Sequence, residues 1–250
     1  MPSRTIPETS AWAPTLRRSV ALFRAFRYEQ PDPPRFYRAL AADSVHQVGR
    51  YAELDGSLLL DVGGGPGYFR DAFTGAGAYY LSLDADAGEL AGLGGIAPGT
   101  VIGSGMALPF ASDSVDVCYS SNVLEHVPDP WRMADEMLRV TRPGGVTFLS
   151  YTVWLGPWGG HETSPWHFLG GLRARDRYRR KHGAEPKNRY GESLFPVSVK
   201  AGLGWAARQR GADVLDVLPR YNPRSTHWLT RVPGVREVVT WNLVIVLKKR

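Results

Sequence analysis

The stretch Leu58-Leu59-Leu60-Asp61-Val62-Gly63-Gly64-Gly65-Pro66-Gly67 carries an apolar run into an acid and then into four glycines. A strand buried on both faces reads as such a continuous run, and the glycines mark a tight turn at its carboxyl end. Glycine takes positive φ without strain and has no side chain, so a ligand can lie against bare backbone. The residues that follow, Tyr68 to Phe73, can open a helix whose first amides face the same crevice. In open α/β sheets ligands bind at the carboxyl ends of the strands, and this turn therefore reads as a nucleotide-type site. A turn built of glycines for structural reasons alone is the competing reading.

Glycine spacing separates the ligands. A dinucleotide fingerprint places its third glycine three positions after the second. Here Gly63, Gly65 and Gly67 are spaced two and two, and position 68 is tyrosine. An NAD-dependent reductase is disfavoured on that ground. A second strand, Tyr79 to Asp84, ends in an acid a little over twenty residues after Asp61. A carboxylate so placed can accept hydrogen bonds from both hydroxyls of a ribose. As an alternative, Asp84 and Asp86 cap the short helical stretch around Glu89-Leu90.

Two further segments complete the pattern. Val101 to Phe110 runs through Ser104-Gly105-Met106 into Leu108-Pro109-Phe110, and Ser114 to Val127 reads as a fourth strand followed by the turn Asn122-Val123-Leu124-Glu125-His126. Asp129-Pro130 then caps a helix with Trp131, Ala134, Met137 and Leu138 on one face, ending at Arg142-Pro143-Gly144-Gly145 before a fifth strand from Val146 to Tyr151. Glycine turn, second acid, Leu-Pro-Phe loop, and Glu136, Arg139-Val140 with Pro143-Gly144-Gly145 occur in this order. Together they resemble the class I S-adenosylmethionine (SAM) dependent methyltransferases over about residues 55–152, and in outline beyond.

The resemblance implies an α/β three-layer sandwich with a seven-stranded, mostly parallel sheet and an antiparallel final hairpin. It implies SAM as cofactor, held by Asp61, Gly63, Gly65, Gly67, Asp84, Ser104, Gly105, Met106 and Asn122. Ser104 departs from the family pattern, in which an aspartate accepts from the adenine amino group; serine still accepts but is shorter and uncharged. Met106 can pack on adenine or simply fill the core. The implied reaction is methyl transfer to a small-molecule, sugar or lipid-like acceptor, on oxygen or nitrogen. A SAM-binding protein without turnover is the alternative outside catalysis.

The bulk composition is that of an ordinary globular chain: 43% apolar and 22% charged residues leave ample material for a core. The single cysteine, Cys118, excludes an intramolecular disulfide and reads as a small buried hydrophobe. No apolar stretch approaches the ~20 residues of a membrane span. The first residues lack the apolar segment of a signal peptide, which leads to an expected cytoplasmic location. The net charge of +6 matters through its placement. Arg173, Arg175, Arg177, Arg179, Arg180 and Lys181 crowd one stretch just after Trp154, Trp158 and Trp166. This patch suits an acidic or lipid-linked substrate, peripheral contact with an anionic membrane, or a merely solvated helix face; nucleic acid ranks lowest, since no RNA-binding module accompanies it.

The chain reads as one domain over 1–250, with an N-terminal cap segment at 1–51 and a substrate-cap insert at 152–197. The first ten or so residues read as loose, and Pro33 to Tyr51 as a helix with Phe36, Tyr37, Leu40, Ala41, Val45 and Val48 at helical spacing. A long connection in a compact domain is usually functional or disordered, and the many aromatics of the insert argue against disorder. Its glycines, Gly159 and Gly160, read as points of movement. Ser198 starts a further helix that Gly211 stops, before strands at Val214 to Leu218 and Leu243 to Leu247. The candidate general bases are His161 first, then Glu162 and His126, with His167 behind them. No metal is expected. Some proteins of this fold bind a divalent ion at the Glu125-His126 position, but Asn122 stands where their earlier acid would be, and two ligands are too few.

Overall fold

The computed structural model describes residues 12–29, 31–90 and 97–250; the expectation of loose first residues falls on 1–11, outside them. The strands are β1 (Leu58–Val62), β2 (Tyr79–Asp84), β3 (Thr100–Ile102), β4 (Val115–Ser121), β5 (Thr141–Thr152), β6 (Ala212–Pro219) and β7 (Asn242–Lys249). They form one sheet in the order β3-β2-β1-β4-β5-β7-β6. The first five run parallel, while β7 lies antiparallel between β5 and β6. The strand order turns back between β1 and β4. There the connections leave in opposite directions and open a crevice at the carboxyl ends.

Helices α1 (Leu16–Phe26), α2 (Pro33–Val48), α3 (Arg70–Gly75), α4 (Ala87–Leu90), α5 (Pro130–Val140), α6 (Gly171–His182), α7 (Val199–Ala207) and α8 (Val235–Val239) accompany the sheet. Two cores result because successive strand residues point to opposite faces. On one face Leu60, Cys118, Leu149 and Ile245 meet Met133 and Met137 of α5 and Trp205 of α7. On the other, Leu59, Tyr119, Phe148 and Val246 meet Phe36 and Leu40 of α2 and Phe73 of α3. Each such side chain contributes about 1.5–3 kcal/mol when buried. With both faces covered, the strands read as unbroken apolar runs rather than alternating ones, which is why β1 and β7 were legible.

Local signals set several boundaries. Asp129 accepts from Arg132 N at 3.1 Å and Pro130 opens α5; Ser198 accepts from Ala201 N at 3.0 Å and opens α7. Others differ from the sequence reading. α7 ends at Ala207 rather than running to Gly211. β5 begins at Thr141, because Thr141 pairs with Val115 before a register shift, so Pro143-Gly144-Gly145 falls inside the strand's span instead of before it. α1 goes beyond the sequence reading: only Leu22 of it is fully buried, while Phe23 and Phe26 meet the distant rings of Trp158 and Trp241. Among the described residues no helix is long and apolar enough to cross a membrane.

Candidate active site

The glycine turn closes β1 with Gly63, Gly65 and Gly67 at φ of 82°, 50° and 89°. A Cβ on Gly63 would lie 2.4 Å from Val123 Cγ2, so the turn can approach the segment after β4 only as glycine. A Cβ on Gly65 would meet nothing within 4 Å. Gly65 therefore serves the left-handed backbone and leaves its outer face open. Asp84 reaches across from β2: one carboxylate oxygen accepts from Gly65 N at 2.9 Å and the other from Asp86 N at 3.0 Å. Each oxygen keeps a second lone pair. An open glycine face beside a carboxylate with spare acceptor capacity fits a ribose-bearing cofactor.

Asp61 lies beneath the turn, 1% exposed, accepting from the Tyr80 hydroxyl at 2.5 Å. Burial pushes its carboxyl up to about 7; the Asp84 charge adds to this, while the Tyr80 hydrogen bond and Arg70 oppose it. α2 covers the turn from above, with Tyr37 stacked on Tyr68 at 5.0 Å and nearly parallel. Burial raises the Tyr37 phenol far above its ordinary value, and among nearby charges Glu125 contributes.

The loop after β3 is clamped by α5. Glu136 accepts from Leu108 N at 2.8 Å and pairs with Arg139 at 2.7 Å. Arg139 in turn donates to the carbonyls of Leu108 and Phe110, each at 3.0 Å. Within the loop, Ser104 Oγ accepts from Met106 N at 3.2 Å, so the hydroxyl that replaces the family's aspartate also caps its own turn. A Cβ on Gly105 would sit 3.0 Å from Met133 Sδ, and Met106 packs against the α5 core. Asn122, at φ 59°, has its amide taken up by Asn242 at 2.7 Å and Tyr221 at 3.4 Å.

Beside the turn, Glu125, His126 and His161 converge, with one potential ligand atom from each lying within 4.8 Å of the others. Glu125 is 1% exposed, and one of its oxygens accepts from Thr152 N at 3.0 Å. His126 Nδ1 lies 2.8 Å from the Ser193 carbonyl. His161 has φ 47°, a region that costs a non-glycine residue about 1–3 kcal/mol. Burial, with His126 and His167 adding, pushes its imidazole down to about 3. A ring that weakly basic is a poor general base, against the sequence expectation. Glu162, the second candidate, accepts from Asn188 at 2.9 Å. His167 is 1% exposed with Nε2 against the Gly156 carbonyl at 3.1 Å, a packing role. The buried acid Glu125 was absent from the expected catalytic set; the sequence pointed to it only as half of the Glu125-His126 pair where some proteins of this fold bind an ion.

The insert is more ordered than its glycines imply. Trp158 packs on Phe26 at 5.3 Å and Trp241 at 4.3 Å, and Trp154 on Tyr190 at 4.9 Å. A Cβ on Gly159 would fall 1.8 Å from the Trp154 carbonyl oxygen, and one on Gly160 would fall 2.5 Å from His167 Cβ. These glycines permit close packing, which corrects their reading as points of movement. Trp166 is 43% exposed, with the Arg177 guanidinium 3.8 Å from its ring centre. In the basic stretch Arg175 is paired with Glu185 and Glu192, and Arg179 with Asp176.

A sheet of this topology with a glycine turn, a second acid and a clamped third loop is the arrangement of SAM-dependent methyltransferase structures, and the relatives of the chain show that it belongs to that class. A family profile described as a methyltransferase domain matches residues 60–149. The chain is 57% identical over 244 residues to an uncharacterized methyltransferase of Mycobacterium avium (strain 104), covering 94% of this chain and 96% of that protein. It is 56% identical over 243 residues to one from Mycobacterium tuberculosis (strain H37Rv), covering 93% and 95%. The fold is shared with a SAM-dependent methyltransferase of Mesorhizobium loti at TM-score 0.56 and 20% identity, over 86% of this chain and 98% of that one. The cofactor is SAM.

Proposed function

We propose that this methyltransferase acts on a small-molecule, sugar or lipid-like acceptor, methylated on oxygen or nitrogen between the glycine turn and the insert. SAM would supply an activated methyl group on a sulfonium leaving group; Asp84, Gly65 and Gly67 would hold it, with the loop from Ser104 to Met106 and Asp61 beside it. The chain's own contribution is then positioning and exclusion of water, and orientation can lower a barrier by about 7–11 kcal/mol in favourable cases. The observation that carries this reading is the convergence of Glu125, His126 and His161, in the segment whose Val123 packs against Gly63 of that turn. Three heteroatom-bearing side chains there can orient an acceptor. His126, with Nδ1 directed at a carbonyl, presents Nε2 as the proton acceptor when the acceptor must lose a proton.

The N-terminal segment 1–51 and the insert 152–197 act as the cap. Support comes from Tyr37 on Tyr68 and from Trp158 bridging to Phe26. The cationic face of α6, where Arg173, Arg177 and Arg180 are exposed beside Trp166, Phe168, Leu169 and Leu172, supports an acidic or lipid-linked acceptor reached at an anionic surface. The test is transfer of tritium from methyl-labelled SAM to a cell extract. Label should enter a small-molecule or lipid-soluble fraction and be lost in His161→Ala, with fold and SAM affinity retained. Label in protein or nucleic acid, or in no fraction, would overturn the reading.

A further inference from the structure

We propose that Glu125, His126 and His161 form a binding site for one divalent transition-metal ion, of the zinc or manganese type. The proposal deepens the reading of this centre given above and takes its functional meaning from it. Glu125 and His126 come from the turn after β4, whereas His161 is brought in by the insert; a count of ligands along the chain could not include it. The three potential ligand atoms lie within 4.8 Å of one another.

Three features of the side chains point to a cation. Glu125 is 1% exposed, and its Oε2 has no hydrogen-bond partner while Oε1 is held by Thr152 N. An unsatisfied buried polar atom is costly, and more so when charged. His161 Nε2 is likewise buried without a partner, on a backbone held at φ 47°. For His126 the tautomer follows from its neighbour. A carbonyl oxygen can only accept, so Nδ1, 2.8 Å from the Ser193 oxygen, carries the hydrogen and Nε2 carries the lone pair. Metal-binding histidines commonly have their second ring nitrogen tied in this way.

One cation would satisfy both orphaned atoms and engage the free Nε2, so that in the loaded protein the acceptor would be oriented through the ion and His126 would no longer take its proton. Two imidazoles with one carboxylate suit zinc, manganese or iron, while magnesium and calcium favour oxygen ligands. Bonds of about 2.0–2.2 Å would draw the side chains slightly closer than they stand. Three protein ligands also leave coordination positions open, as in catalytic metal sites. An ordered water is the competing occupant.

The full chain, stripped with chelator and desalted, is titrated calorimetrically with zinc chloride and separately with manganese chloride; metal retained after gel filtration is counted by emission spectroscopy. Wild type should hold one equivalent. Loss of an outer partner typically weakens a site 10–100-fold, so loss of a direct ligand in His161→Ala or Glu125→Gln should weaken it about 100-fold or more. Glu125→Gln retains the acceptor for Thr152 N and serves if the alanine variant fails to fold. His182→Ala, on exposed α6, should bind as wild type does. SAM affinity of the same samples should stay unchanged. No uptake by wild type, or uptake surviving both ligand variants, overturns the metal site; methyl transfer is scored separately by labelled product, so the two readings fail independently.

Discussion

Asp61 is fully buried below the glycine turn, and burial lifts its carboxyl from the ordinary 3.8 to about 7. The unfolded chain ionises near 4 while the folded chain resists ionisation until about 7. Folding is therefore unopposed by this group below pH 4, is increasingly penalised between 4 and 7, and carries the whole penalty above 7. Asp61→Asn removes the charge. The difference in Tm, variant minus wild type, should be more positive at pH 8 than at pH 5 by a few degrees in a scanning experiment; a pH-independent difference would show that Asp61 is not titrating in this range. Its neighbour Asp84 faces the open side of the turn. Hydrogen bonds to a charged acceptor contribute about 1.5–3 kcal/mol, so Asp84→Ala should weaken SAM binding roughly tenfold to a hundredfold. Gly65→Val should abolish it, because valine resists φ of 50° and its side chain would fill the open face. Near-wild-type calorimetric affinity in both would sink the assignment. Asp61, Asp84 and the glycines were legible because acid and turn chemistry are local. His161's partnership with Glu125 was not, since it depends on the path of the insert.

Among the elements, the insert tests how far glycine can be read from sequence. The cluster Gly159-Gly160 looked like a point of movement, yet a methyl group on Gly159 would overlap the Trp154 carbonyl. Overpacking of this kind costs about 1–3 kcal/mol. Gly159→Ala should therefore lower the Tm by about 2–10 °C, whereas a freely moving turn would tolerate alanine with no change. The Glu136–Arg139 pair is the converse case. It was recognised as a family pattern, and the structure supplies its physical content, a clamp on the carbonyls of Leu108 and Phe110. Ends of elements were read less well than their existence. α7 stops before Gly211, and β5 starts before Val146 because its register with β4 outweighs local turn signals.

At the scale of the whole molecule, α1 and the insert meet over the carboxyl edge of the sheet through aromatic contacts centred on Trp158 and Trp241, and Phe36 of α2 joins them through Phe26. Outside that contact, Trp166, Phe168, Leu169 and Leu172 remain exposed next to the cationic face of α6. Contact with an anionic surface should follow. The protein should sediment with phosphatidylglycerol vesicles at low salt, and joint replacement of Arg173, Arg177 and Arg180 by glutamate should release it; retention by that variant would return the arginines to a solvated helix face. What the sequence determined by itself was the sheet and its glycine turn. Buried strands, glycine turns and helix caps are specified within a few residues, so β1 to the start of β5 could be read in order. Only the tertiary structure decided that Glu125, His126 and His161 share one centre, that Gly159 is packed rather than mobile, and that α1 exists as a docked helix. Each of these depends on groups far apart in the chain, whose proximity is set by the packing of the insert and N-terminal helices on the sheet.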